Sequence, residues 1–228
     1  MRSSRLLKAI ALVGSSILAS TSAYAAQSSF TVDPGANWLG FMNVYELPSN
    51  GGGFVFASGW GTADLTATFS GNVLTLGPNT IGDPHPFWYV GGGGPGAQGN
   101  KTMEANMYVE DNSIFGNEVT FHGTVLANTF VSPYATTAFI RDFAPDYSSF
   151  NFVSVPLTPG NFSITLQTDP TPGRHVQYGF TTTGPNVWIT DTGPVGNAQI
   201  TATVVVPEPA TIGVLALAGI GALARRRA

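Results

Sequence analysis

The chain has no cysteine at all, which excludes a disulfide scaffold and any thiolate-ligated metal or thiol nucleophile. Charge is also scarce: only 10% of the 228 residues are Asp, Glu, Lys or Arg, against ~25% in an ordinary soluble domain. Basic residues are scarcest of all. Between positions 26 and 206 there are three, Lys101, Arg141 and Arg174, facing twelve acids, so this interval carries a formal charge of −9. A phosphate backbone is repelled by such a surface, and nucleic-acid binding is excluded. The same interval lacks a sustained apolar stripe at i, i+3, i+4, and so offers nothing for an amphipathic helix. Several catalytic signatures are missing as well. There is no Gly-x-Ser-x-Gly, no His-Glu-x-x-His and no Gly-Lys-Ser/Thr after a glycine loop.

The remaining six basic residues sit at the two ends, where they have company. Arg2, Arg5 and Lys8 precede the apolar run from Ala9 to Leu18, and Ala23-Tyr24-Ala25 supplies a small-x-small site. This is the layout of a secretory signal peptide over residues 1–25, cleaved after Ala25 or Ala26. Its apolar run is too short to span a ~30 Å hydrocarbon layer as a helix.

At the other end stand Val206, Pro207, Glu208 and Pro209, then fifteen uncharged residues from Ala210 to Ala224, then Arg225, Arg226 and Arg227. Two prolines two positions apart cannot continue a helix or a central strand, because each lacks an N–H and has a fixed φ. The tripeptide is therefore a stiff, accessible break. Fifteen apolar residues are marginal against the ~17–25 of a stable span, which suits a temporary membrane helix, and the arginines hold its end on the cytoplasmic side.

This three-part layout over residues 206–228 resembles the PEP-CTERM sorting signal of Gram-negative, exopolysaccharide-producing bacteria. The resemblance implies export through the Sec translocon and transient anchoring in the inner membrane. It also implies processing by an exosortase, a membrane cysteine protease-transpeptidase, and delivery to the cell surface or extracellular matrix. On that reading Pro207, Glu208 and Pro209 are substrate residues for another enzyme.

Residues 26–205 form the remaining domain, and alternation with period two dominates it. Met103, Ala105, Met107 and Val109 alternate with polar neighbours, as do Val119, Phe121 and Val125, then Phe162 and Ile164, then Val176, Tyr178 and Phe180. Turn signals such as Ser70-Gly71-Asn72, Gly77-Pro78-Asn79 and Pro159-Gly160-Asn161 fall between these runs. The pattern predicts an all-β chain: a single β-sandwich of ten to twelve strands, jelly-roll-like, flanked by the N-terminal signal peptide and the C-terminal hydrophobic helix. The glycine-rich stretch 86–101 is a long loop of the sort that carries function.

Within the domain no constellation of catalytic residues stands out, and the expectation is a non-enzymatic protein with no cofactor. His85, His122 and His175 are widely separated. His85 is expected to pack against Phe87 and Trp88, the other two to be solvated. The acids that could meet across strands are Glu104 with Glu118, and Glu110 with Asp142. A structural Ca²⁺ has two candidate clusters, Glu110-Asp111-Asn112 and Asp142 with Asp146. Aromatics are more suggestive, because flat rings pack on sugar faces. Trp88, Tyr108 and Trp188 are the candidate glycan platform, with Trp188 placed by alternation on the face opposite Val187 and Ile189. The domain also resembles the uncharacterised β-rich domains found among PEP-CTERM proteins. Residues 173–180 and 142–147 have the look of signature segments within it.

Overall fold

The computed structural model describes residues 26–202. The signal peptide with Ala23 and Ala25, the sorting motif Val206 to Pro209, the apolar segment 210–224 and Arg225 to Arg227 all lie outside the described residues. Among the described residues twelve strands form two sheets. The first sheet holds β1 (Gln27–Phe30), β4 (Ala67–Ser70), β5 (Val73–Leu76), β7 (Glu118–Asn128), β10 (Gly160–Gln167) and β12 (Ala198–Thr201). The second runs in the order β3 (Phe54–Gly59), β2 (Leu39–Glu46), β6 (Lys101–Glu110), β11 (His175–Pro185), β8 (Ala135–Phe143), β9 (Phe150–Pro156). Every strand pair is antiparallel except β1 with β7. Among the described residues the only helical pieces are two 3-10 turns, Pro48–Asn50 and Gly193–Val195, and no helix is long and apolar enough to cross a membrane.

Consecutive strands β6, β7 and β8 alternate between the sheets, as do β10, β11 and β12, so the chain repeatedly crosses the core. The alternation that predicted the strands marks their inner faces. Met103, Ala105, Met107 and Val109 are buried, and so are Val119, Phe121 and Val125 across from them. Aromatic rings fill the centre. Phe121 of the first sheet lies 5.3 Å from both Tyr178 and Phe180 of the second, centroid to centroid, and 5.5 Å from Phe162. Such tilted and edge-on pairs are the favoured geometries between rings.

Burial of Tyr178 and Tyr134 pushes both phenols up to about 12 from the usual 10. The neutral phenol is thus the form the fold prefers. Stability from these two groups is complete below pH ~10 and is lost as pH climbs through the folded value near 12. Denaturant unfolding followed at stepped alkaline pH should therefore show the midpoint falling between pH 10 and 12. Replacing both tyrosines with phenylalanine should flatten that fall. An equally steep fall in the double variant would contradict this account.

The loop expected at 86–101 is fastened rather than free. Tyr89 is fully buried and its hydroxyl donates to the carbonyls of Ile81 and Val187. Asn186, also buried, accepts at Oδ1 from the backbone N–H of Asn100 and Lys101 and donates from Nδ2 to the Trp88 carbonyl. Gly99 lets this contact close: a Cβ there would sit 1.9 Å from the Asn186 carbonyl oxygen.

Candidate functional site

The aromatic residues singled out from sequence go to different places. Trp88 lies edge-on to Phe87 and Phe56 and packs on the core. Trp188 lies edge-on to Tyr89 at 5.4 Å, also against the core. Its expected strand placement is corrected: β11 stops at Pro185, the chain turns after a single bridge between Val187 and Thr80, and Ile189 is left 60% exposed. Tyr108 stands apart, on the outer face of the second sheet. It is seven residues along β6 from Lys101, beside which Trp88 is fastened, or about 23 Å at strand spacing. The three rings are not brought together as one platform.

The acids are likewise dispersed. Glu104 and Glu118 belong to different sheets. Glu110 lies across from Gln177, and Asp142 lies across from Val176. Neighbours along a strand face opposite ways, so Glu110 points outward and Asp142 inward. The outward carboxylate accepts from Gln177 Nε2 at 2.8 Å and lies 3.3 Å from His175 Nδ1. His175 is not simply solvated as expected, because its ring stacks on Tyr147 at 4.2 Å. His85 is exposed and accepts the backbone N–H of Phe87 at Nδ1, which caps the loop.

Oxygens proposed for calcium are engaged locally. Asp111 accepts from the backbone and hydroxyl of Ser113, Asp146 does the same for Ser148, and Asp142 is paired with Arg174. No group of three or more His, Asp or Glu side chains placed to hold a metal occurs among the described residues. The two signature-like segments do meet, through the Asp142–Arg174 pair at 2.6 Å and the His175–Tyr147 stack.

Two surfaces have the chemistry of a site. One is an open cleft of about 660 Å³ lined by Trp60, Asp64, Asp83 and Ile189 among others. Both of its aspartates are exposed.

The second is the outer face of the second sheet, where β2, β6, β11 and β8 place a row of polar side chains across four strands. Asn43 Nδ2 donates to Glu104 Oε1 at 2.8 Å. Asn106 Nδ2 donates to the Glu104 carbonyl at 3.1 Å. Asn106 Oδ1 accepts from Thr181 Oγ1 at 2.8 Å and from Arg141 Nη1 at 3.0 Å. Arg141 Nη2 also donates to Thr181 Oγ1 at 3.3 Å, and the guanidinium lies 3.9 Å over the Phe139 ring.

Burial pushes Arg141 below its usual range, with Glu104 pulling it back up; a guanidinium stays charged through such a shift. Tyr45 and Tyr108 flank the row, and burial first, then Glu104 beside one and Glu110 beside the other, raises both phenols. Alternation marked Tyr108 for this face, with Glu104 and Asn106. Arg141 and Thr181, which bond to Asn106, were missed, because nothing in the sequence links positions 35 to 75 residues apart.

Residues 205–228 match the PEP-CTERM protein-sorting motif. The chain therefore carries the signal read above at 206–228, with one further residue, and that motif implies export, exosortase processing and membrane-associated sorting in a Gram-negative bacterium. No curated protein is significantly similar to the chain.

Proposed function

From that motif we propose that this chain is a non-enzymatic cell-surface or extracellular-matrix protein of the exopolysaccharide or biofilm layer, exported through the Sec translocon and released by exosortase. The observation that supports it is the pairing of a sorting signal with a β-sandwich whose inward acid is locked in an ion pair and whose cleft carboxylates are exposed. No cofactor is required by this reading.

Replacing Pro207, Glu208 and Pro209 together with alanine tests it. The variant should remain uncut in the inner-membrane fraction of its host, while the native chain is recovered outside the cell without its tail. Normal release of the variant would refute sorting through the motif. Hydrolysis or transfer of a glycan by the native protein, lost on replacing Asp64 and Asp83 with asparagine, would refute the non-enzymatic part.

A second reading, glycan binding by the sandwich, is favoured by one observation. Tyr45 and Tyr108 stand on a sheet face beside an ordered row of amide, carboxylate and guanidinium groups.

A further inference from the structure

We propose that the outer face of the second sheet, centred on Arg141, binds a neutral, hydroxyl-rich glycan; the inference rests on the glycan-binding reading above and gives it a location and a ligand class. Side chains on a wet sheet face are ordinarily solvated one by one. Here Asn106 is 2% exposed, Thr181 9% and Phe139 1%, although all three point away from the core. They are buried within a layer of their own, fastened by the bonds among Asn106, Thr181 and Arg141.

That layer fixes the groups above it. Arg141 has five N–H donors; two are used on Asn106 and Thr181, and the Phe139 ring supports the guanidinium from below. Three donors are left for a ligand. Glu104 is oriented through Oε1 by Asn43, which leaves Oε2 to accept. A hydroxyl both donates and accepts, so a donor fork and a carboxylate held on one face suit adjacent hydroxyls of a sugar ring.

Tyr45 lies across from Thr102, and Tyr108 is six residues further along β6, so the two rings bracket a strip of about 20 Å. Several sugar units fit that length, with ring faces against phenols. Every element of the strip is strand, and little ordering remains to be done on binding.

Charge selects among glycans. Glu104 and Glu110 share this face with Arg141, and the domain's formal charge is −9. A long polyanion meets net repulsion; a neutral chain does not.

The full chain, purified in detergent, would be run in affinity gels containing dextran, mannan, hydroxyethyl cellulose or alginate. Retardation is expected from at least one of the three neutral polymers. Arg141→Lys keeps the charge but loses the fork, and Tyr108→Ser removes a flanking ring at a half-buried position. Each should weaken the retardation constant about tenfold, with thermal melts confirming that both variants fold. Binding of a neutral polymer unchanged in both variants would overturn this location while leaving glycan binding in place. Retardation by alginate alone would overturn the ligand class, and retardation by none would overturn glycan binding itself.

Discussion

Replacing Arg174 with methionine is expected to destabilise the fold by about 3–5 kcal/mol, the usual effect of stranding one partner of a buried ion pair. Asp142 is fully buried, and its Oδ1 accepts from Arg174 Nε at 2.6 Å. Arg174 Nη2 reaches the Asp142 backbone carbonyl, also at 2.6 Å, while Asp142 Oδ2 accepts the Asp169 N–H at 2.7 Å. Asp142 is on β8 of the second sheet, and Asp169 and Arg174 are in the segment that carries the chain from β10 of the first sheet to β11 of the second. The pair therefore clamps a crossing between layers. Methionine fills the space of the aliphatic stem but leaves a carboxylate in the interior with a single backbone donor. Urea unfolding should show the loss. Replacing Asp142 with leucine in the same chain should restore part of it, because the stranded charge is then gone. A single variant within about 1 kcal/mol of the native protein would mean that the clamp contributes no more than an exposed pair does.

The second large effect is expected at Phe180, where alanine should cost about 3–5 kcal/mol. Its ring is 1% exposed and touches three others, Phe121 and Phe162 from the opposite sheet and Trp38. Truncation leaves a cavity walled by strands of both sheets, which cannot collapse without shifting the layers. A domain of ordinary stability, ~5–15 kcal/mol, loses a large share of it. Leucine at the same position should cost less, since it refills part of the volume. The test is the ordering of the three proteins in urea midpoint, and alanine ranking at or above leucine would contradict it.

What the sequence makes legible follows from periodicity. β6, β7, β10 and β11 alternate apolar inward residues with polar outward ones, and that alternation marks them correctly, although β11 is buried on both faces from Val176 to Thr182. β8 is hidden because its inner face reads Thr136, Ala138, Ile140 and Asp142, polar at both ends; the acid becomes an inward residue only once Arg174 supplies a partner 32 positions away. β2 is hidden for the opposite reason: Leu39 and Phe41 are apolar yet exposed on its outer face, while Met42 and Val44 are buried, so the pattern blurs. Trp188 misleads because alternation continues past Pro185 in the sequence after the strand itself has ended. Of the outer-face row, alternation placed Glu104, Asn106 and Tyr108 together on one face of β6. The rest depends on register across four strands, which local pattern does not encode.

The last strand gives the tail a particular geometry. β12 ends at Thr201, and Pro207 is six residues on, a reach of at most roughly 20 Å even when fully drawn out. Were the apolar segment embedded before processing, as the motif implies, the sandwich would be held within that reach of the membrane, and the peptidase would have to work in the gap. Cleavage at the motif would leave all twelve strands of the described residues on one side of the cut.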